Sequence, residues 1–314
     1  MKKIWIIGAG TIASEYVKVL QSLGEDFIVI GRGAESANSF FNKTGVRPIE
    51  GGLDLFLQTN PEKPERVINC VQSRNLAETN IRLLDYGAYY ILSEKPGFYP
   101  YEEHSLKQAI ERNRGEVFVA YNRRFFSSVL AAERIVKDDG GLLSFNFEFT
   151  EWKHVFDKFP ESRKGELRYH FIGNSTHVVD LAFFLGGIPK EISCYSNGTV
   201  GWHTPANFSG AGVTENDVLF SYNANWNSPG RWAVELLTPK HRIYLKPMEQ
   251  LQLQDQGSVR IYPVEIDDHL DKEFKPGFYL ETKAFLSNNF SRLCTLQEQE
   301  AHFHTIYSKI LGDK

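Results

Sequence analysis

The chain has 314 residues, of which 42% are hydrophobic and 13% aromatic, and its formal net charge is -4. A single core usually stops growing at about 250–300 residues, so this length predicts two domains. The negative charge and the lack of a long basic run argue against nucleic acid as a partner, and no apolar stretch approaches the ~18 residues of a membrane span. Without a signal-peptide pattern before the first strand, we expect a cytoplasmic protein.

The opening segment KKIWIIGAGTIA predicts a strand, a glycine turn and a helix in close succession. Gly8, Gly10 and Ala13 form the pattern G-x-G-x-x-A after the apolar strand Ile4–Ile7. The first glycine permits a tight turn, the second lets backbone approach a pyrophosphate, and the alanine keeps helix and strand close. Because the helix N-terminus also offers free N–H groups, this context indicates a dinucleotide site rather than an ordinary turn. The expected contacts are Gly8, Ala9, Gly10, Thr11 and Ile12.

The first 122 residues continue to alternate between strand and helix patterns. Further strands are predicted over 27–30, 66–71, 89–92 and 117–121, with helices over 75–86 and 101–112. Strands that alternate with helices of this length are typical of a doubly wound parallel sheet. Residues 1–122 are therefore expected to form an α/β Rossmann domain that binds NAD(P).

After residue 122 the pattern becomes that of a strand-rich α/β domain. In LLSFNFEF, Phe145, Phe147 and Phe149 alternate with polar residues, which predicts an antiparallel sheet covered on one side. Other strands are predicted over 217–226, 231–237, 241–246, 249–253 and 259–264, with helices near 126–138, 177–185 and 296–311. Residues 123–314 are expected to form this second domain, with a large, open, mostly antiparallel sheet. The three cysteines of the whole chain, Cys70, Cys194 and Cys294, are far apart and suggest neither disulfides nor a metal site.

Five motifs in order make the chain similar to a known family. The glycine fingerprint, SEKPG, YNRRFF, HVVDLAFFLGG and ETKAFL occur as in the Gfo/Idh/MocA oxidoreductases, and the resemblance covers nearly the whole chain. It implies hydride transfer between a nicotinamide and a hydroxyl or carbonyl of a sugar-like substrate, and a homo-oligomer formed through the C-terminal sheet. In the family the lysine of E-K-P lies beside the reacting carbon and the histidine of HxxD acts as acid or base. The resemblance thus implies catalytic roles for Lys95 and His177.

The chemistry of these two residues agrees with that implication. Hydride transfer at a carbon that bears oxygen requires a proton to move as well. An imidazole with an ordinary pKa of about 6.5 can give or take this proton near neutrality, and a lysine can polarise the oxygen. The alternatives are a histidine with a structural hydrogen bond at a helix start, and a solvated surface lysine. Asp180, one turn after His177, is expected to be structural.

The chain departs from the family pattern at two positions. Relatives carry a carboxylate four residues before the histidine, where this chain has Gly173 in FIGNSTH. Either His177 uses another partner, such as His170 or Lys95, or the chemistry has changed. Relatives often have a histidine where this chain has Leu76, which puts cofactor contacts there in doubt.

The end of the second predicted strand bears on the choice of cofactor. NAD-preferring domains place an acidic residue there to hold the ribose 2′-hydroxyl, but this chain has Gly31 and Arg32. Arg32 and Ser36 are suited to a 2′-phosphate, so NADP is expected in preference to NAD, although Arg32 can equally be a solvated loop residue. Further cofactor contacts are expected at Gly31, Val71, Gln72, Ser73, Glu94, Lys95 and Asn122.

The segment between the first strand of the second domain and His177 is expected to contact a small-molecule substrate. It is aromatic and polar, with five Lys and Arg against four acidic residues, so it does not indicate strong anion selectivity. Aromatic rings that stack on sugars favour a sugar or sugar nucleotide, although the same residues can be loop packing. The substrate candidates are Lys95, Arg123, Trp152, Arg163, Tyr169, Asn174 and His177.

Two other function classes remain open at this point. One is a reductase of C=N bonds, such as an imine or biliverdin-type reductase, which would tolerate loss of the relay carboxylate. The other is a non-catalytic nucleotide-sensing regulator on the same fold. The presence of Lys95 and His177 argues against the regulator.

Overall fold

The computed structural model describes residues 4–159 and 164–312. The chain divides into two compact units, one formed by Met1–Asn122 and Leu270–Gln299 and the other by Arg123–His269 and Glu300–Lys314. The sequence analysis placed the whole of 123–314 in the second domain, whereas residues 270–299 belong to the first unit. None of the helices in the described ranges is long and apolar enough to cross a membrane.

Strands and helices alternate in the first part of the chain and strands dominate the second. The strands are β1 (Ile4–Ile7), β2 (Phe27–Ile30), β3 (Arg66–Asn69), β4 (Tyr90–Ser93), β5 (Glu116–Val119), β6 (Ser144–Glu148), β7 (Pro189–Asn197), β8 (Asn207–Thr214), β9 (Leu219–Asn225), β10 (Ala233–Leu237), β11 (His241–Leu245), β12 (Gln252–Asp255), β13 (Ile261–Pro263) and β14 (Cys294–Thr295). The helices are α1 (Thr11–Leu23), α2 (Ala34–Thr44), α3 (Gly52–Gln58), α4 (Leu76–Tyr86), α5 (Glu103–Asn113), α6 (Ser127–Asp138), α7 (Lys153–Phe156), α8 (Thr176–Gly186), α9 (His269–Glu273), α10 (Phe278–Leu286), α11 (Leu296–His302) and α12 (Ser308–Leu311).

The first unit contains a six-stranded sheet in the order β14-β5-β4-β3-β1-β2. Its strands are parallel except β14, which is antiparallel to β5. All four residues of β1 are buried, as expected for a strand that is covered on both faces by helices. The predicted doubly wound parallel sheet is confirmed. Helices α2 and α3 were not predicted.

Residues 270–299 join the first unit through aromatic packing and strand pairing. The ring of Phe278 on α10 lies 4.7 Å from the ring of Tyr16 on α1, measured between centroids. The Tyr16 hydroxyl lies 3.3 Å from Glu281 Oε2, and Cys294 in β14 pairs with Val119 in β5. These contacts join residues far apart in sequence, so no local pattern indicates them. They are the physical reason for the corrected domain limits.

The second unit contains an eight-stranded sheet in the order β13-β12-β11-β10-β6-β9-β8-β7. Only β6 and β9 are parallel neighbours, so the predicted open, mostly antiparallel sheet is confirmed. Helix α8 packs on one face, where Phe183 contacts Phe145 and Phe220 at centroid distances of 5.8 and 5.1 Å. Gly186 permits this closeness, because a Cβ there would lie 2.1 Å from the Phe145 ring.

Two strands of the second sheet, β7 and β8, were not predicted. Strand β8 contains Gly210 and Gly212, and glycines usually weaken a strand pattern. In the sheet a Cβ at Gly210 would lie 2.4 Å from the Tyr222 ring, and one at Gly212 would lie 2.6 Å from the Phe220 ring. The glycines therefore make room for aromatic side chains of β9, a cross-strand requirement that a single segment does not reveal.

The predicted final helix, 296–311, consists of α11 and α12 separated by a π-helical turn at Phe303–Tyr307. A second π-helical turn, Phe171–Ser175, immediately precedes α8. It contains Gly173, the position where relatives carry a carboxylate.

Candidate functional site

A cavity of about 510 Å³ lies at the carboxyl ends of β1, β2 and β3 in the first unit. Strand β1 lies between β2 and β3, which is where the strand order reverses. Open α/β sheets bind ligands at this switch point. The lining residues are Ile7, Gly8, Ala9, Gly10, Ile30, Arg32, Ser36, Gly51, Gly52, Leu53, Asp54, Cys70, Val71, Gln72, Asn75, Glu78, Thr79 and Arg82.

The glycine turn after β1 has the geometry that a dinucleotide requires. Gly8 has a φ of 109°, and a Cβ there would lie 2.8 Å from the Cys70 carbonyl oxygen. At Gly10 a Cβ would meet nothing within 4 Å, so the backbone at this position borders open space. The first glycine permits the turn against β3, and the second leaves room for a ligand group at the backbone.

Helix α1 begins at this turn with its N-terminus uncapped by a side chain. Gly10 is the N-cap residue, and the first turn carries no acidic residue. Backbone N–H groups of the first turn have no partner within a helix, and the positive end of the helix dipole adds to their attraction for anions. This donor set fits the pyrophosphate of a dinucleotide.

Charged side chains surround the part of the cavity after β2. Arg82 forms ion pairs with both acidic residues of the lining, Asp54 and Glu78. The distance from its Nη2 to Glu78 Oε1 is 2.7 Å. No ion pair involving Arg32 occurs among the residues that the structure describes. Ser36, one turn into α2, donates a hydrogen bond from its hydroxyl to the Gly33 carbonyl at 2.9 Å. Arg32 therefore lines a cavity in which both carboxylates, Asp54 and Glu78, are bound by Arg82.

The cavity brings together half of the predicted cofactor residues. Gly8, Ala9, Gly10, Arg32, Ser36, Val71 and Gln72 line it, whereas Thr11, Ile12, Gly31, Ser73, Glu94, Lys95 and Asn122 do not. Ser73 receives a hydrogen bond from the Tyr99 hydroxyl at 3.0 Å, and the Asn122 amide donates to the Pro276 carbonyl at 2.9 Å. A Cβ at Gly31 would lie 3.1 Å from the Ala9 Cβ, so this glycine packs against the turn.

Several lining residues were missed by the sequence analysis. Gly51 and Gly52, at the start of α3, have φ values of 103° and 80°, and the Gly-Gly pair in the sequence was the available signal. Leu76, where relatives often have a histidine, is buried at the start of α4, while its neighbour Asn75 lines the cavity. At this point the cavity is therefore lined by Asn75 and not by Leu76.

Lys95 is the second residue after β4, at the carboxyl edge of the first unit's sheet, and is half-buried. A buried chain of hydrogen bonds supports this edge, since Asn69 donates to Asn80 at 2.7 Å and Asn80 donates to Ser93 at 3.0 Å. Burial raises the pKa of the neighbouring Glu94, and the positive charges of Lys95 and Lys275 oppose that rise. The strand end thus holds Lys95 beside a buried carboxyl group.

In the second unit His177 is the second residue of α8 and is 7% exposed. Its ring lies 6.1 Å from the ring of Trp232, between centroids. The Arg123 guanidinium lies 4.5 Å from the centre of the same indole. Two substrate candidates therefore lie around one tryptophan that was not among the predicted site residues.

A buried carboxylate, Glu151, lies beside the π-helical turn that carries Gly173. Glu151 is 0% exposed, and its Oε1 accepts hydrogen bonds from Ser175 Oγ at 2.8 Å and Asn174 Nδ2 at 3.0 Å. His170 Nε2 lies 3.3 Å from the same oxygen, and Arg231 Nη1 lies 3.4 Å from Oε2. The sequence does not indicate this role, because Glu151 is 22 residues before Gly173, in the loop between β6 and α7.

Two other predicted substrate residues of this region contact partners other than Glu151 and Trp232. The Tyr169 ring lies under the guanidinium of Arg168, at 4.6 Å, and Trp152 donates its indole N–H to the Gly230 carbonyl at 2.8 Å. Arg163 lies outside the described residues. Asp180 is structural as expected, because Arg124 donates to both of its carboxylate oxygens, at 2.9 and 2.5 Å, in a buried pair.

No protein-family model and no curated protein sequence matches the chain. Solved structures do match it over almost their whole length. An oxidoreductase from Agrobacterium radiobacter in complex with NAD+, L-tartaric acid and magnesium has a TM-score of 0.78 at 11% identity, covering 100% of this chain and 97% of that one. Levoglucosan dehydrogenase in complex with NADH and L-sorbose has a TM-score of 0.77 at 15% identity, covering 99% and 96%.

A third similar structure is the WlbA dehydrogenase from Bordetella pertussis in complex with NADH and UDP-GlcNAcA. Its TM-score is 0.71 at 14% identity, and the match covers 98% of this chain and 96% of that one. At these identities the likeness concerns the fold. The chain has the fold of the Gfo/Idh/MocA-type oxidoreductases, as its motifs predicted.

The hydrogen bonds of Glu151 lead to a prediction about stability. Glu151→Ala leaves buried polar groups of His170, Asn174 and Ser175 without their acceptor, and breaking such a buried network costs about 3–5 kcal/mol. Glu151→Gln keeps an acceptor oxygen, so we expect a loss of about 1–3 kcal/mol. Urea unfolding followed by tryptophan fluorescence measures both values.

The matched control is Glu235→Ala, which removes the more exposed carboxylate paired with Arg242 on the same sheet. We expect it to cost less than about 1 kcal/mol, as for most surface ion pairs. Equal losses for Glu151→Ala and Glu235→Ala would contradict a special role for the buried network.

Proposed function

We propose that the protein is an NAD(P)-dependent oxidoreductase that binds the cofactor in the first unit and a sugar-like substrate in the second. The observation that carries this proposal is the cavity at the switch point of the parallel sheet, bordered by Gly8, Gly10 and the uncapped N-terminus of α1. Phosphate recognition by backbone N–H groups is the function that this arrangement performs in Rossmann domains. The similar structures that hold NAD+ or NADH support the same conclusion.

In the proposed mechanism Lys95 and His177 handle the proton and the charge at the reacting oxygen. When bound, the nicotinamide supplies or accepts the hydride. The ammonium group of Lys95 stabilises negative charge on the substrate oxygen, and the imidazole of His177 gives or takes its proton. Burial of His177 against Trp232 excludes water from one side of the imidazole.

The substrate class in this proposal is a sugar or sugar nucleotide. Trp152 is 44% exposed, and its ring offers the flat apolar surface on which a sugar ring or base stacks. Two of the similar structures hold L-sorbose and UDP-GlcNAcA, which agrees with this class.

We further propose that NADP is preferred to NAD. Arg32 and Ser36 line the cavity where NAD-specific domains place a carboxylate, and the lining carboxylates Asp54 and Glu78 are both bound by Arg82. A 2′-phosphate there meets a guanidinium and a hydroxyl without facing an unpaired carboxylate.

The first functional prediction concerns this preference. NADP(H) is expected to bind roughly ten- to a hundredfold tighter than NAD(H), since a charge-assisted hydrogen bond contributes about 1.5–3 kcal/mol. Isothermal titration with both cofactors measures the ratio. Arg32→Ala should remove it, while Arg47→Ala, which changes an exposed arginine paired with Glu50, should leave it intact. Equal affinities in the wild type would refute the preference.

A second prediction concerns catalysis. His177→Ala is expected to lower the rate of hydride transfer by about 10²–10⁴-fold with cofactor affinity unchanged, which is the usual contribution of a positioned acid or base. Lys95→Ala should be at least as severe, because it also removes a charge that stabilises the developing alkoxide. Single-turnover measurements of nicotinamide absorbance test both variants. Wild-type rates for His177→Ala would make this histidine structural.

We also propose self-association through the C-terminal sheet. The large aromatic residues of the predicted strands 217–226 and 231–237, Phe220, Tyr222, Trp226 and Trp232, do not form its exposed face, because all four are buried inside the second unit. The exposed apolar residues on or beside this sheet are Leu143, Ile188, Tyr195, Leu219 and Ile261. Contiguous exposed apolar surface commonly marks an interface, and the register of β7, β8 and β9 places Tyr195 and Leu219 on the same face of this sheet.

The expected result is a particle larger than one chain of 35.9 kDa in light scattering at micromolar concentration. Tyr195→Lys combined with Leu219→Lys should shift it toward the monomer, because both charges would enter the interface. A monomeric wild type would refute the proposal.

A further inference from the structure

Arg231, just before β10, lies between two tryptophan rings. Its guanidinium carbon is 4.6 Å from the centre of the Trp152 ring and 4.5 Å from that of Trp232. Trp152 is linked to the same turn by its hydrogen bond to the Gly230 carbonyl. Contact with two aromatic rings restricts the orientations that the planar guanidinium can adopt. The side chain is nevertheless 42% exposed, so a ligand can reach it.

Buried Glu151 anchors one end of this guanidinium. Nη1 of Arg231 lies 3.4 Å from Glu151 Oε2, and this is its only hydrogen bond to residues in the described ranges. An arginine has five N–H donors in a fixed fork, so most of them are available for a ligand. The neighbouring carboxylate Glu148 is bound by Lys246 at 3.2 Å. The accessible charge at this turn is therefore positive.

The surroundings of Trp232 add a second cation and a buried donor. The guanidinium of Arg123 lies 4.5 Å from the centre of the Trp232 ring, and His177 lies beside the same ring. Trp232 is 6% exposed, and its indole N–H has no hydrogen-bond partner among the described residues. A buried donor of this kind is costly unless an acceptor satisfies it. A ligand with negative charge would attract the Arg123 cation, and its acceptor oxygens would accept a hydrogen bond from the Trp232 N–H.

We propose that Arg231, with Trp152 and Trp232, forms an anion-recognition subsite beside His177, and that the substrate is a hydroxylated ring bearing a carboxylate or phosphate group. This inference rests on the proposed function, because it assigns a substrate class to the same site. Arg231 binds the anion through its fork of N–H donors, and the exposed Trp152 face stacks on the ring. The charge count of residues 151–176 in the sequence did not indicate strong anion selectivity, because that segment does not include Arg231.

Direct binding of three sugars tests the subsite without requiring turnover. D-glucuronate, D-glucose 6-phosphate and D-glucose are titrated into the protein saturated with NADP+, and tryptophan fluorescence reports binding. At least one anionic sugar is expected to bind roughly ten- to a hundredfold more tightly than glucose, the contribution of a charge-assisted hydrogen bond. Tighter binding of glucuronate identifies a carboxylate, and tighter binding of glucose 6-phosphate identifies a phosphate.

Arg231→Met should abolish this selectivity, because methionine keeps an unbranched side chain but carries neither charge nor donors. The matched control is Arg242→Met on the same sheet. Arg242 is also 42% exposed, also paired with a glutamate and also near an aromatic ring, Tyr244 at 5.3 Å. It should retain the wild-type selectivity.

Equal binding of the three sugars, or absence of binding by both anions, would overturn the subsite. So would unchanged selectivity in Arg231→Met. Preliminary titrations with NADP+ and NAD+ distinguish failure of the subsite from failure of the proposed function. If either cofactor binds but anion selectivity is missing, the subsite fails alone, and if neither cofactor binds, the proposed function fails first.

Discussion

The cavity in the first unit depends on one close backbone approach, that of Gly8 to the carbonyl of Cys70. A side chain at residue 8 would place its Cβ 2.8 Å from that oxygen, which is closer than atoms can pack. Only because this contact is possible does the chain turn directly from β1 into α1 beside β3. The turn brings the N-terminus of α1 to the cavity, and no side chain caps its first backbone N–H groups.

In the second unit, the buried carboxylate of Glu151 joins side chains from several segments of the chain. The resemblance to the Gfo/Idh/MocA oxidoreductases implies a carboxylate at residue 173, where this chain has a glycine. In the structure Glu151, three residues after β6, accepts hydrogen bonds from Asn174 and Ser175, directly after that glycine. A π-helical turn provides the irregular backbone on which these groups converge. The same carboxylate orients Arg231, so one buried charge links the turn before α8 to the aromatic pair Trp152 and Trp232.

Much of the fold was accessible from local patterns. Strands β1 to β5 and helix α4 were predicted from apolar runs and end signals in their own sequence, such as Gly87 with a φ of 105° after α4. Strand β8 was missed because its glycines serve the rings of Phe220 and Tyr222 on the neighbouring strand. The return of residues 270–299 to the first unit was missed because Phe278 and Glu281 find their partner at Tyr16, more than 250 residues away.

The sequence by itself determined the glycine turn, the doubly wound sheet and the positions of Lys95 and His177 on their elements, because these depend on neighbours within a few residues. Only the tertiary structure decided which side chains meet: Arg82 with Asp54, Glu151 with the turn at Gly173, and Arg231 between Trp152 and Trp232. The physical reason is that hydrogen bonds and ring contacts act over a few ångströms in space. Residues from separate strands and helices reach that distance only after the sheets have formed.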